Sequence, residues 1–167
     1  RVHGTTMASA GRPASKGEHR CSLSIIPIVQ FTVRDATIAD ADGIARLVSG
    51  LGYPTSSSQM HVRLEPILRD EEYHTLVACE GDRIVGFIGT RVGPLYESDD
   101  PYGQIMALAM TRDRQRGGVG RVLLQAAESI LLQHGARVLV VTSGNHRSDA
   151  RAFYEKNRLW QNSPSLI

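Results

Sequence analysis

The fold is decided by the stretch YGQIMALAMTRDRQRGGVGRVLLQAAESILLQHG, residues 102–135. It begins with a strand-like run, YGQIMALAMT, and ends with apolar residues at helical spacing that stop at Gly135. The stripe predicted to be buried on this helix consists of Val119, Val122, Leu123, Ala126, Ala127, Ile130 and Leu131. Between strand and helix lies QRGGVGR, residues 115–121. Because glycines let backbone N–H groups approach an anion and a helix N-terminus favours negative charge, the stretch predicts a phosphate site.

Two common phosphate loops do not fit QRGGVGR. A Walker loop has Lys followed by Ser or Thr after its last glycine, whereas Arg121 and Val122 follow here, which argues against an NTPase. A dinucleotide-binding fingerprint has Gly or Ala where Leu123 stands, and it belongs to an early βαβ unit. A glycine-rich turn without a ligand is the remaining alternative, although three glycines lose much backbone entropy on folding.

The rest of the chain alternates strands and helices around this stretch. FTVRDA predicts a strand, and Thr37 and Asp40 after it have the spacing of a helix N-terminal box. A second helix is predicted after a cap at residues 56–58, and HTLVACE and RIVGFIGTRV are joined by a hairpin turn at Gly81-Asp82. RVLVVT predicts a strand and ARAFYEKN a short helix. The order β-α-α-β-β-β-α-β-α predicts an α/β (α+β) fold, with a mixed sheet covered by helices.

Composition and charge exclude several classes of protein. The chain has 167 residues, 41% of them hydrophobic and 22% charged, which fits one domain with a sizeable core. The formal net charge is +2, and the whole excess lies in the first 30 residues, since the remainder has 15 basic and 16 acidic residues. A nucleic-acid partner is therefore not expected. No apolar run approaches the roughly 20 residues of a membrane-spanning helix, so no membrane partner is expected either.

The first residues differ from the rest of the chain. They are rich in Gly, Ser, Ala and Arg and show no sustained hydrophobic period, so we expect a flexible extension over residues 1–30 and the domain over residues 31–167. An organelle transit peptide is the alternative for this leader. Cys21 and Cys79 have neither paired nor metal-ligand spacing, which predicts reduced thiols, no metal site and a cytoplasmic location.

Two motifs in this order of elements resemble the GNAT superfamily of acyl-CoA-dependent N-acetyltransferases, in particular its bacterial members that act on small-molecule amines. The central family motif is Gln or Arg, two residues, Gly, one residue, then Gly or Ala. It is matched by Gln115, Gly118 and Gly120, after a strand LAM that is similar to the family's LAV. The second motif is matched by Asn145, Ala150 or Ala152, Phe153 and Tyr154. The resemblance covers residues 31–156 and implies a mainly antiparallel sheet.

The resemblance implies acetyl-CoA as the acyl donor. Backbone N–H groups of Arg116–Gly120 would hold its pyrophosphate, and the free edge of the fourth strand would hold its pantetheine arm. The complete implied set for the cofactor is Leu108, Ala109, Met110, Gln115, Arg116, Gly117, Gly118, Val119, Gly120, Arg121, Asn145 and Tyr154. Positive charge for the phosphates would come from Arg112, Arg114, Arg116 and Arg121. The alternative for each of these arginines is a solvated loop face.

The resemblance also implies two catalytic groups. Tyr154 resembles the family's general acid, because a phenol, with a pKa of about 10, can protonate a thiolate of slightly lower pKa. A tyrosine that only packs is the alternative. The oxyanion that develops on the thioester would be stabilised by a backbone N–H of the fourth strand, that of Met110.

The general base departs from the family pattern. Many relatives carry a Glu early in the fourth strand, whereas this chain has the neutral Gln104 there. Glu97 is the candidate base, acting through water, and Glu97, Asp99 and Asp100 could attract a cationic amine. A solvated acidic turn is the alternative. His74 and His146 are further candidate bases, and ordinary surface or capping histidines are the alternative for both.

We therefore expect direct transfer of an acetyl group from acetyl-CoA to a primary amine of a small molecule. Aminoglycoside-like and aminophosphonate-like amines fit the pattern, and the former would imply antibiotic resistance. A protein or peptide acetyltransferase and a coenzyme A-binding module with impaired catalysis are the alternatives. The end of the chain, NRLWQNSPSLI, differs from the family's Leu-Gly-Phe and two further strands. A missing or replaced edge strand favours a homodimer.

Overall fold

The structure is a computed structural model and describes residues 31–141. In chain order its elements are β1 (Thr32–Asp35), α1 (Ala41–Gly50), α2 (Ser57–Arg69), β2 (Tyr73–Glu80), β3 (Arg83–Gly93), β4 (Tyr102–Met110), α3 (Val119–Gln133) and β5 (Val138–Val141). Short 3-10 turns, Ile38–Asp40 and Arg112–Arg114, precede α1 and α3. This order confirms the predicted succession as far as β5. The predicted N-terminal extension, last helix and altered C-terminal strands lie outside the described residues.

The five strands form one mixed sheet in the order β1-β2-β3-β4-β5. The first four strands are antiparallel neighbours, and β5 pairs with β4 in parallel. A parallel neighbour requires a crossover connection, which α3 provides. The predicted sheet, mixed and mainly antiparallel, is therefore confirmed, and the glycine-rich loop lies in the crossover from β4 to β5.

Strand alternation divides the core into two layers. Leu76 and Ile88 are buried in the layer that also contains Leu123 of α3. Val77 follows Leu76 and Phe87 precedes Ile88, so both point to the opposite face of the sheet. They are buried in the layer that contains α1 and α2. Burial of these apolar side chains on both sides supplies the main driving force for folding. The central strands are therefore covered by α3 on one face and by α1 and α2 on the other.

Helix α2 begins at the predicted cap. The Oγ of Ser56 accepts a hydrogen bond from the N–H of Gln59 at 3.2 Å, and the N–H of Ser56 donates to Oε1 of Gln59 at 2.9 Å. This reciprocal pair satisfies two donors that would otherwise have no partner at a helix start. The predicted N-terminal cap of α2 is therefore confirmed.

The buried face of α3 differs from the predicted stripe. Val122, placed in that stripe, is 37% exposed, whereas Leu124, which was not, is only 1% exposed. Leu123 and Leu124 both lie in the layer against the sheet. The buried face of α3 is therefore centred between Leu123 and Leu124, and Val122 lies at the edge of this face.

Asp40 ties β1 to the start of α1. Its carboxylate accepts hydrogen bonds from Nη1 and Nη2 of Arg34, each at 2.8 Å, and from the N–H of Thr37 at 2.7 Å. Asp40 is buried, and its pKa is lowered, first of all by the hydrogen bond from Arg34. The predicted Thr37–Asp40 box is present, with a third partner that the sequence did not indicate.

We expect Asp40→Asn to lower the free energy of unfolding by about 2 kcal/mol at pH 7, because it leaves buried donors without a charged acceptor. The folded-state pKa of Asp40 is below its unfolded value near 4. The stabilisation is therefore complete above pH 4 and is lost as the pH falls through the folded-state pKa. Urea unfolding of both proteins at several pH values measures the difference.

Asp42→Asn is the matched control, because the Asp42–Arg46 ion pair on α1 is exposed at both partners. It should change stability by less than about 1 kcal/mol. Equal effects of the two substitutions would show that Asp40 does not anchor this end of the sheet.

Candidate functional site

The glycine-rich loop leaves β4 through a short turn and enters α3. The N–H of Thr111 donates to the carbonyl of Val85 at 2.9 Å, which keeps the chain in register with β3 just past the end of β4. After the turn at Arg112–Arg114, the N–H of Val122 donates to the carbonyl of Gly118 at 3.2 Å. The N–H groups of residues 119–121 come earlier in the helix and have no intrahelical acceptor. They form the positive end of the helix dipole beside the loop.

Two residues of the loop have left-handed backbone conformations. Arg116 has a φ of 68° and Gly118 a φ of 84°, with Gly117 between them. A non-glycine residue in this region is uncommon and is destabilised by about 1 kcal/mol. Alternation of right- and left-handed residues directs successive N–H groups toward one concave side, which suits an anion. A strained arginine beside a helix N-terminus therefore points to a ligand site.

Close packing explains why Gly117 and Gly86 carry no larger side chain. A Cβ on Gly117 would lie 3.2 Å from the carbonyl oxygen of Arg114, whose oxygen accepts the N–H of Gly117 at 3.1 Å. A Cβ on Gly86 of β3 would lie 2.9 Å from Cγ1 of Val119. The first turn of α3 can therefore approach β3 closely, and this contact fixes where its N-terminus lies.

The four arginines predicted to supply charge for phosphates fall into two groups. Arg112, Arg116 and Arg121 are exposed and form no ion pair with another residue between 31 and 141. Arg114 instead donates to Glu80, with its Nη2 at 2.6 Å from Oε1 and its Nε at 3.0 Å from Oε2. Its charge is therefore compensated by a carboxylate within the protein.

Strand β4 has a partner along only part of one edge. Parallel pairing with β5 joins Tyr102 to Val138 and ends at Ile105 and Val141. Beyond that point, residues 106–110 have no strand on this edge within the described part of the chain. Their other edge pairs with β3. The unpaired edge therefore runs from Met106 toward the glycine-rich loop, over about 13 Å.

Main-chain groups alternate along this edge. Because the N–H of Thr111 points to β3, the N–H and carbonyl of Ala109 also point to β3, and those of Leu108 and Met110 point the other way. All three residues were predicted to bind the pantetheine arm. The structure corrects Ala109, because its main-chain groups lie in the β3 ladder, and it leaves Leu108 and Met110 facing the unpaired edge.

Met106 is a β-bulge. Thr90 of β3 pairs with Ile105 and Gly89 pairs with Ala107, so Met106 has no residue opposite it. It is 46% exposed. Such an extra residue bends a strand and changes which side chains face each side. The bulge directly follows Ile105, the last residue of β4 that pairs with the described part of β5, and it is a site feature that no motif in the sequence indicates.

The face of β4 that carries Gln104 is open beside this bulge. Gly89 lies on the same face, and a Cβ added there would meet no atom within 4 Å. The neighbour of Gln104 across the sheet is Arg91. Arg91 donates to Oε2 of Glu72 at 2.6 Å and lies 5.4 Å from the ring centre of Tyr73. The charged side chain opposite Gln104 is thus a guanidinium rather than a carboxylate.

The predicted acidic residues lie at the start of β4. Glu97, Asp99 and Asp100 are exposed, in the loop between β3 and β4. Asp99 lines a cavity of about 680 Å³ at this end of the sheet, together with other acidic residues, which are Asp70, Glu71 and Glu72. Arg69 also lines the cavity, and Glu72 is paired with Arg91, so carboxylates outnumber cations at this end of the sheet.

His74, a candidate base, lies on the other side of the sheet from Gln104. It is in the row of β2 that faces α3, and its ring lies 4.3 Å from that of His134 at the end of α3. Its Nε2 is buried without a hydrogen-bond partner among the described residues. Burial, and then the charge of His134, lower its pKa. The structure does not bring His74 together with Gln104.

Several predicted residues lie outside the described part of the chain, namely Asn145, His146 and Tyr154. Cys79 is a buried free thiol. Within residues 31–141 no cluster of three or more His, Cys, Asp or Glu side chains is arranged for a metal ion. No helix in that range combines the length and apolar character needed to cross a membrane.

One comparison with known proteins identifies a family for this chain. A family model described as the acetyltransferase (GNAT) family matches residues 42–158. A comparison with curated proteins gives no match.

Solved structures similar to this chain carry different descriptions. One is a Bacillus halodurans protein described as a transcriptional regulator, with 24% identity over 83% of this chain and 98% of that one, and a TM-score of 0.69. Another is an aminoglycoside acetyltransferase from an uncultured soil metagenomic sample, solved with sisomicin, with 19% identity over 82% and 93% and a TM-score of 0.66. A third is a ribosomal-protein-alanine N-acetyltransferase from Brucella melitensis, with 19% identity over 76% and 89% and a TM-score of 0.63.

These structures share the fold with this chain, and their descriptions name different activities. The family model covers most of the chain and includes the glycine-rich loop and β4. The chain belongs to the GNAT acetyltransferase family, whose members are acyltransferase enzymes.

Proposed function

We propose that this protein transfers an acetyl group from acetyl-CoA to a primary amine of a small molecule in the cytoplasm. The observation that carries the proposal is the left-handed pair Arg116 and Gly118 at the N-terminus of α3. This pair lies directly beyond a β4 edge that has no strand partner among residues 31–141. The first feature suits a pyrophosphate, and the second offers main-chain hydrogen bonds to an extended arm. Coenzyme A combines both chemical groups in one ligand.

The residues present fit this ligand. Main-chain N–H groups of Arg116 and of residues 118–121 would hold the pyrophosphate, whereas the N–H of Gly117 is already bonded to the carbonyl of Arg114. Exposed arginines nearby would supply charge. Leu108 and Met110 would offer their main-chain groups to the pantetheine arm. Gln115, Asn145 and Tyr154 are assigned to the same ligand from the family motifs that they match.

The bulge changes the proposed oxyanion donor. A ligand with its phosphates at the loop and its arm along the unpaired edge would carry its thioester toward Met106, about 13 Å along the strand from Met110. We therefore propose a main-chain N–H at the Met106 bulge in place of Met110, whose N–H is closer to the phosphates. A fixed N–H at this point stabilises negative charge as it develops on the carbonyl oxygen.

Acetyl-CoA supplies a thioester, whose carbonyl carbon is attacked by an amine and whose thiolate leaves. The protein must receive the amine in its neutral form and provide a proton for the thiolate. Tyr154 is the proposed proton donor. Gln104 cannot accept a proton, so deprotonation falls to solvent or, through water, to the acidic loop that contains Glu97.

Negative charge at the start of β4 supports a cationic acceptor. Asp99 and the acidic residues around its cavity would raise the local concentration of a polyamine or an amino sugar. One similar structure is described as an aminoglycoside acetyltransferase solved with sisomicin. We therefore propose an aminoglycoside-like amine as the first acceptor class to test, with aminophosphonate-like amines next.

We expect coenzyme A to stabilise the full chain by about 2.7 kcal/mol at one hundred times its dissociation constant. Arg116→Gly should keep or raise the melting temperature without ligand, because glycine adopts the left-handed conformation without strain, and it should reduce the shift caused by coenzyme A. Thermal unfolding with and without coenzyme A measures both effects.

Arg46→Ala is the control, since it removes the same charge from an exposed pair on α1. It should leave the shift unchanged. Absence of any shift in the unmodified protein would contradict the proposed cofactor.

We expect Tyr154→Phe to lower turnover by about 100-fold with coenzyme A affinity within about twofold, because only the proton for the leaving thiolate is lost. Release of free thiol from acetyl-CoA, measured against a panel of amines that includes aminoglycosides, gives the turnover. Tyr53→Phe, which changes an exposed tyrosine between α1 and α2, is the matched control.

Unchanged turnover in Tyr154→Phe would remove this residue from the role of acid. Transfer to a peptide amine alone would contradict the small-molecule acceptor. Binding of coenzyme A without turnover on any amine would contradict catalysis.

A further inference from the structure

The turn between β2 and β3 holds the segment that leads into the glycine-rich loop. Two ion pairs connect them. Nη1 and Nη2 of Arg83 each lie 3.0 Å from a carboxylate oxygen of Asp113, and Arg114 donates to both carboxylate oxygens of Glu80 at 2.6 and 2.7 Å. Glu80 is the last residue of β2 and Arg83 the first of β3. Two consecutive residues before the loop are thus each held by one end of the same hairpin.

The bond to Arg114 reaches the loop itself. Its side chain binds Glu80, while its carbonyl oxygen accepts the N–H of Gly117 at 3.1 Å. Gly117 lies between the two left-handed residues, Arg116 and Gly118. A shift of Arg114 would therefore move Gly117, and with it the main-chain N–H groups of Arg116 and Gly118 on either side.

The two ion pairs differ in exposure. The side chains of Arg83 and Asp113 are about half exposed, at 52% and 50%, and exposed ion pairs contribute little to folding. Those of Arg114 and Glu80 are only 28% and 29% exposed, so this pair also contributes to stability. Each pair is bidentate, which fixes direction as well as distance, so both pairs hold the turn in position.

We propose that Glu80 and Arg83 are positioning residues for the cofactor: the hairpin turn holds Asp113 and Arg114 so that the main-chain N–H groups of Arg116 and of residues 118–120 stay arranged for the pyrophosphate. This inference rests on the proposed binding of coenzyme A. It assigns a function to a turn that contributes no residue to the predicted site.

Glu80→Gln separates positioning from simple electrostatics. The substitution removes a negative charge and leaves Arg114 uncompensated near an anion site, so charge alone would tighten binding. Loss of position would weaken it. We expect the dissociation constant of coenzyme A, measured by calorimetry on the full chain, to rise about fivefold. The melting temperature should fall by only a few degrees, because one partly buried ion pair is lost.

Arg83→Gln should also weaken coenzyme A about fivefold. The double variant Arg83→Gln/Asp113→Asn removes the carboxylate that the single change leaves uncompensated. If the ion pair positions the turn, this double variant should bind coenzyme A as weakly as Arg83→Gln does. The exchanged pair Arg83→Asp/Asp113→Arg should recover binding to within about twofold, because it can restore the contact.

Arg91→Gln is the matched control, since it breaks the ion pair with Glu72 near the opposite end of β3. Its affinity for coenzyme A should match that of the unmodified protein. In turnover assays, Glu80→Gln should raise KM for acetyl-CoA and leave kcat at saturation unchanged, because the chemical groups are intact.

Three results would overturn the inference. They are normal or tighter binding in Glu80→Gln, normal binding in the neutral double variant, and an equal loss in Arg91→Gln. In each case the unmodified protein still binds coenzyme A, so the proposed function stands. Failure of the unmodified protein to bind coenzyme A would instead contradict the proposed function, and this role with it.

Discussion

A single extra residue in β4 sets the arrangement of the whole site. Up to Ile105 the strand has neighbours on both edges, and beyond Met106 it has one only on the side of β3 among the described residues. The bulge also changes the faces. Ile105 belongs to the layer beneath α3, and so does Leu108, three residues later, whereas Ala107 and Ala109 belong to the layer beneath α1 and α2. The strand thus keeps apolar contacts on both faces beyond the bulge, while one edge has no strand beside it among residues 31–141.

The glycine-rich loop depends on this strand for its place. It follows directly from the end of β4, and the first turn of α3 rests on β3 where Gly86 leaves room for Val119. Strain is concentrated at Arg116, and the residues just before it are the ones held by the hairpin turn. The site proposed for a large anionic ligand therefore consists of main-chain groups held at fixed positions by neighbouring strands. Its side chains add charge, but they do not define its shape.

The parts of this arrangement that depend on local chemistry are predictable from the sequence. The glycines of residues 117–120, the helical period after them and the cap at Ser56 all act over a few residues, and the structure contains each of the corresponding elements. The family resemblance rests on the same local motifs, and the family model confirms it.

The remaining parts depend on contacts between distant residues. IMALAM is apolar throughout, and its residues contact core layers on both faces of β4, so no polar residue marks the point at which the bulge changes the faces. The bond between Glu80 and Arg114 joins residues 34 positions apart, and either residue alone resembles an ordinary surface charge. The removal of Ala109 from the edge follows from strand register, which the sequence does not specify.

The central claim is that main-chain N–H groups of the loop and of the β4 edge bind coenzyme A. Titration of the ¹⁵N-labelled protein with coenzyme A, followed by amide chemical shifts, tests it residue by residue. The account predicts that the largest changes occur at Arg116, at residues 118–121 and at Leu108 and Met110. Smaller changes are expected at Ala109, whose N–H is held by β3, and at Gly117, whose N–H is held by the carbonyl of Arg114. Binding accompanied by changes elsewhere, with these amides unaffected, would contradict it.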